Sequence, residues 1–173
     1  MKQTTCHFKK IIGIDPGKSG GICLIEDDKI MKAYKCPDNI HSMCLLFSDL
    51  LKDTSISSTA VYIEKVWARP SDGRVSVFTF AQNYGHWEAI IASNGIVSEY
   101  VIPSTWMKHF DVPKGLKKKD RKNHIKDLAK AVSGYGYEYD DYYSGKKYQL
   151  QGKVTLATAD AIMIARYGID KAS

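Results

Sequence analysis

The chain has 173 residues, 44% of them apolar and 25% charged, with a formal net charge of +6, so it can bury a core of its own without disulfide or metal staples. No apolar run approaches the ~20 residues that cross a bilayer, and the opening MKQTTCHFKK carries no hydrophobic signal core, so neither a membrane span nor secretion is expected. Four cysteines (Cys6, Cys23, Cys36, Cys44) without a C-x-x-C pair read as reduced thiols of an intracellular, cytoplasmic protein rather than a disulfide framework or a zinc site.

Residues 10–16 (KIIGIDP) predict a buried strand that closes in a turn, 20–26 (GGICLIE) a second, and 29–36 (KIMKAYKC) a third, a β-meander with the first strand central. Pro37-Asp38-Asn39 signals a helix start ahead of Ile40, Met43, Cys44, Phe47 and Leu51 at helical spacing. A Ser/Thr loop at 54–59 leads to a strand at 60–66 (AVYIEKV) with Val61 and Ile63 in the core. After the polar loop WARPSDGRVS, the positions Phe78, Gln82, Gly85, Glu88, Ala89 and Ala92 predict a helix that stops at Asn94-Gly95. Residues 96–102 alternate like a strand, and Pro103-Ser104-Thr105 opens a short helix carrying Trp106, Met107 and Phe110. A basic segment, KGLKKKDRK at 114–122, leads into a helix to about Val132. Residues 134–149 form a Tyr- and Gly-rich insertion, and TLATADAIMIARYG predicts a last helix ending at Gly168. This order predicts an α/β fold, a mixed five-stranded sheet with helices on both faces.

The stretch GIDPGKSGG at 13–21 superficially resembles a phosphate cradle, G-x-x-x-x-G-K-[ST]. It is one residue short, Pro16 removes an N–H donor, and Asp15 puts a negative charge where phosphate would sit. The carboxylate is the more informative feature. Asp15 ends an apolar strand, Glu64 ends another, and Asp160 interrupts an apolar helix on the face of Leu156, Met163, Ile164 and Tyr167. A carboxylate in such surroundings costs several kcal/mol unless paired or metal-bound. Carboxylates without a His/Cys set suit Mg²⁺ or Mn²⁺, and two such ions ~4 Å apart can serve phosphodiester cleavage.

GIDPGKSGG, YIEK at 62–65, TADAIMIARYG at 158–168 and the long stretch FAQNYGHWEAIIASNGIVSEYVIPSTWMKHF together resemble the RuvC-type Holliday junction resolvases, and within them the phage and plant-organelle branch. The resemblance implies one ribonuclease H-like nuclease domain over 1–173 with the insertion near 134–149. It further implies a homodimer, two Mg²⁺ ions per site (Mn²⁺ substituting), and symmetrical metal-dependent nicking of four-way DNA junctions. It carries the catalytic, metal-ligating acids onto Asp15, Glu64 and Asp160, with Asp15 bridging the ions, and an aromatic beside the crossover onto Trp67. One departure stands out: the family's fourth acid, three or four residues before the last Asp, falls on Ala157 or Leu156, and the His of some members falls on Ile162. Catalysis with three carboxylates, recruitment of Asp140 or Asp141, and an inactive junction-binding protein are the readings this leaves open.

Charge supports a polyanionic partner. Residues 1–100 hold 11 Lys+Arg against 11 Asp+Glu, and 101–173 hold 14 against 8, so the excess lies in the C-terminal part. Lys114, Lys117, Lys118, Lys119, Arg121 and Lys122 form the densest cationic run, and Arg69 and Arg74 flank the Trp67 loop; these, with Trp67, are the expected DNA contacts. Actin-like ATPases share a strand–Asp–Gly opening, but they need two domains around a nucleotide and a longer chain.

Overall fold

The computed structural model describes residues 8–26, 29–52, 55–68, 73–133, 138–140, 147–149 and 154–172. Strands β1 (Lys10–Asp15), β2 (Gly21–Glu26) and β3 (Lys29–Lys35) form the expected meander. Helix α1 (Ile40–Leu51) follows, then β4 (Thr59–Glu64), α2 (Arg74–Ser93), β5 (Val97–Val101), α3 (Pro103–His109) and α4 (Lys118–Ser133). A short antiparallel pair, β6 (Glu138–Asp140) and β7 (Lys147–Gln149), precedes the last helix, α5 (Ala159–Ala172). The rest of the Tyr-rich insertion lies outside the described residues.

The main sheet runs β3-β2-β1-β4-β5 with β1 in the middle. β1 is antiparallel to β2 and parallel to β4, and β4 is parallel to β5. Because side chains alternate across a strand, β1 and β4 each feed two cores. Ile12, Ile14, Val61 and Ile63 pack with Met43 and Phe47 of α1 and with Trp87, Ile90 and Ile91 of α2. Ile11, Ala60 and Tyr62 belong to the opposite core, with Trp106 of α3, Ile125 of α4 and the apolar side of α5. Both faces of the central strands are therefore apolar, which is why they read as continuous hydrophobic runs.

Helix α5 lies almost on the backbone of β1. A Cβ built at Gly13 would stand 2.3 Å from Ala161 O and 2.4 Å from Ala165 N, main-chain atoms that cannot swing aside. The alanines of TLATADAIMIARYG and Gly13 are thus two halves of one close contact.

Several expectations need correction. Gly168 does not end α5, which continues to Ala172; the glycine is there for space, since a Cβ would meet Tyr62 Cδ2 at 2.5 Å and Ile11 Cγ2 at 2.7 Å. Helix α2 buries Asn83, Trp87, Ile90 and Ile91 rather than the face through Phe78, Glu88 and Ala92, and Phe78 is 71% exposed. In α1 the inner side is Met43, Phe47 and Leu50, with Ile40 and Cys44 outside. β5 does not alternate: only Val101 is buried, as befits an edge strand.

Gly13→Ala is expected to cost ~2–3 kcal/mol or more, because either α5 or β1 must move. Urea unfolding should show a lower midpoint at unchanged slope.

Candidate active site

On β1 the residues facing α5 are Ile11 and Gly13, so Asp15 continues that face; on β4 they are Ala60 and Tyr62, so Glu64 continues it. The parallel register pairs Ile14 with Ile63. Asp15 and Glu64 therefore stand side by side one residue later, at the C-terminal ends of adjacent parallel strands, where open α/β sheets bind ligands. Asp160 enters the same end from the first turn of α5, one residue before the Ala161 carbonyl that touches Gly13. Three elements thus bring together the three acids expected from the sequence.

Their electrostatics are those of mutually crowded carboxylates. Burial, then the charges of Glu64 and Asp160, hold Asp15 well above the usual carboxylate range, and Lys122 partly offsets this. Burial pushes Glu64 up to about 7, as does Asp160; a hydrogen bond from Trp106 and the charges of Lys122 and Arg121 act the other way. Asp160 is raised by burial against the pull of the same two cations. Its Oδ1 is buried without a hydrogen-bond partner among the described residues. An oxygen-only, anionic donor set with an unsatisfied buried oxygen has the chemistry of a Mg²⁺ or Mn²⁺ site, although among the described residues no three Asp, Glu, His or Cys side chains close around a single point.

The supports are specific. Trp106 Nε1 donates to Glu64 Oε1 at 2.9 Å. The Cys36 thiol, pushed up to about 12 chiefly by burial, donates to the main-chain oxygen of Asp15 at 3.4 Å. The GIDPGKSGG turn is pinned where Gly17, at φ +125°, donates its N–H to Asn83 Oδ1 of α2 at 2.9 Å. The motif is the tight turn that joins β1 to β2, closed by Gly20 N donating to Gly17 O at 3.0 Å. Before α5, Thr155 and Thr158 exchange hydrogen bonds, Thr155 N to Thr158 Oγ1 at 2.9 Å and Thr158 N to Thr155 Oγ1 at 3.2 Å. Leu156 and Ala157, the fourth-acid positions, lie inside this turn and precede the helix. Leu156 is 45% exposed, not on the core-facing stripe as expected.

The expected DNA contacts divide into two groups. Arg121 and Lys122 are half-buried in the first turns of α4 and act on the acids. Lys114, Lys117, Lys118 and Lys119 are exposed, as is Arg74 at the start of α2. Trp67 is 62% exposed and lines a groove of about 560 Å³ with Val66, Phe80, Ala81 and Tyr84. A second cavity, about 400 Å³, is lined by Ser104, Lys108, Lys114 and Arg121 among others. Arg69 and Asp141 lie outside the described residues; Asp140 closes β6. Sequence reasoning missed the roles of Trp106, Cys36 and Asn83, none of which carries a local motif.

No family model matches this chain, and no curated protein sequence is significantly similar to it. Solved structures are, two RuvC chains among them. One, described as "T. thermophilus RuvC in complex with Holliday junction substrate", superposes with a TM-score of 0.54 at 14% identity, over 92% of this chain and 97% of that one. The other, "Thermus thermophilus RuvC structure", gives a TM-score of 0.56 at 14% identity over the same shares. The chain has the RuvC fold. Its α/β class is ribonuclease H-like, with the five-stranded mixed sheet described above. Among the described residues no helix is long and apolar enough to cross a membrane.

The raised carboxylates set a direction for stability. A folded state that holds protons more tightly than the unfolded chain loses stability as pH rises between the two values, for Glu64 from 4.5 to about 7. In metal-free solution Asp160→Asn should therefore raise the melting temperature near neutral pH, by about 2–4 °C per kcal/mol of repulsion and burial cost relieved. The gain should fade below pH 4.5; thermal melts across that range check it.

Proposed function

We propose that this chain is a structure-selective endonuclease that resolves four-way DNA junctions by metal-dependent, symmetrical phosphodiester nicking. The observation that carries the reading is the meeting of Asp15, Glu64 and Asp160 at one end of the RuvC sheet, desolvated and faced by Lys122 and Arg121. One similar structure holds a RuvC with a Holliday junction substrate, which supports a branched DNA as the ligand here.

In this reading Asp15, Glu64 and Asp160 are the metal-holding catalytic residues for Mg²⁺, with Mn²⁺ able to substitute and two ions per site. When bound, the ions supply a water nucleophile and neutralise charge on the phosphodiester. The chain's own residues do the rest. Lys122 and Arg121 keep the acids partly ionised when the site is empty and add positive charge beside the scissile phosphate. Lys114, Lys117, Lys118 and Lys119, at the entrance to α4, take backbone phosphates away from the reacting one, as does Arg74 at the start of α2, and Arg69 is assigned the same role from the sequence. Trp67 offers its exposed ring to an unstacked base at the branch point.

Symmetrical cutting needs two sites, hence a homodimer. The exposed apolar residues at the start of α2, Val75 at 81% and Phe78 at 71%, support a contact through that helix, because a monomer rarely leaves such side chains adjacent in water.

The test is nicking of a synthetic four-way junction in Mg²⁺ or Mn²⁺. Wild type should cut two opposed strands, and Asp15→Asn should lose on the order of 10³-fold or more in rate while still binding the junction. Tight, salt-dependent binding without nicking in either metal contradicts the nuclease and leaves a junction-binding protein. Replacing Lys118 and Lys119 with Ala should weaken binding uniformly across junction sequences and lower the salt-dependence slope by about 1 for each phosphate no longer neutralised, measured by binding at several salt concentrations.

A further inference from the structure

Trp106 is fully buried at 0% exposure, and Glu64 is 8% exposed. The hydrogen bond between them joins residues 42 apart in sequence, so it exists only because α3 is returned beneath the end of β4. That return is tightly built. β5 pairs in parallel with β4 through Glu64 and Val101, and Lys65 N donates to Val101 O at 2.8 Å, extending the pairing one residue beyond the acid. Pro103 then begins α3. Its far end is closed by Phe110 N to Trp106 O and Val112 N to Met107 O, at 3.3 and 2.9 Å. The indole sits in the cluster containing Val101, Val112 and Ile125.

A core position of this kind asks only for apolar volume. Trp adds an N–H that usually finds an acceptor when buried; that of Trp87 has none among the described residues, whereas that of Trp106 reaches one oxygen of a carboxylate in the acid centre. Side chains that orient a functional carboxylate in this way set both its rotamer and the oxygen left free. Among the described residues Glu64 has no other side-chain hydrogen-bond partner, so its flexible side chain owes its orientation to this donor.

We infer that Trp106 is a positioning residue: its indole N–H holds Oε1 of Glu64 and thereby presents Oε2 to the cation and phosphate that the acid centre receives. The inference rests on the nuclease reading for its consequence, but not for the pairing itself. A role confined to filling the core predicts something different, since Phe would serve nearly as well.

The full chain has three tryptophans, Trp67, Trp87 and Trp106, hence three indole N–H signals in a ¹H–¹⁵N spectrum. Trp106→Phe identifies the third by its loss. Glu64→Ala should move the Trp106 signal upfield and leave that of Trp87 in place. Mg²⁺ titration by calorimetry should show Trp106→Phe binding about 10–100-fold more weakly than wild type. Its junction KM should stay close to wild type while kcat falls. A Trp106 signal unmoved by Glu64→Ala overturns the pairing, and this arm decides the matter even if Trp106→Phe fails to fold. Wild-type Mg²⁺ affinity in a folded Trp106→Phe overturns the positioning role. If wild type itself takes up no Mg²⁺, the nuclease reading falls together with the role toward the cation, while the indole signal still decides the pairing.

Discussion

The cost of burying three carboxylates together at one end of a sheet governs much of this structure. Asp15, Glu64 and Asp160 are crowded together, and burial is the first cause of the shift at all three. A fold under no other constraint would replace them with apolar or amide side chains at a gain in stability. Their retention therefore needs a compensating role, and a cation site that consumes the surplus charge is the role their chemistry fits. The compensation visible in the chain is partial: Lys122 and Arg121 from outside, Trp106 from beneath, and an Asp160 oxygen still without a partner among the described residues.

The geometry that creates this cost also makes the centre rigid. Asp15 is the last residue of the central strand and Glu64 the last of its parallel neighbour, so their spacing is set by sheet pairing rather than by loops. Asp160 is located by the contact of Ala161 and Ala165 with Gly13, a main-chain approach with no flexible side chain in it. The turn after Asp15 is tied to α2 through Gly17 and Asn83. Such support is what an acid centre needs if its groups are to hold position within fractions of an ångström.

Most of the fold was legible because its central strands are apolar on both faces and its turns carry Asp, Pro and Gly. The acids were legible for a related reason: a charge at the end of an apolar run, or inside one, stands out against its neighbours. What could not be read were relations between distant elements. The inner face of α2 was misassigned because Trp87, Ile90 and Ile91 are interleaved with small and polar residues on both sides, and Phe78 looked like a core residue although it lies outside. Gly168 looked like a helix stop because its true partners, Tyr62 and Ile11, are far away in sequence. The link from Trp106 to Glu64 leaves no local trace, and the two cations that matter most, Arg121 and Lys122, looked no different from their exposed neighbours in KGLKKKDRK.

If the three acids form one cation-binding centre, thermal melting near neutral pH, with and without Mg²⁺, shows it directly, because a ligand bound only by the folded state raises stability with the logarithm of its concentration once that exceeds Kd. Mg²⁺ is expected to raise the melting temperature of the wild-type chain, and Asp15→Asn and Asp160→Asn should each lose most of that rise. A wild-type chain indifferent to Mg²⁺, or a rise of equal size in Asp15→Asn, would contradict a shared centre.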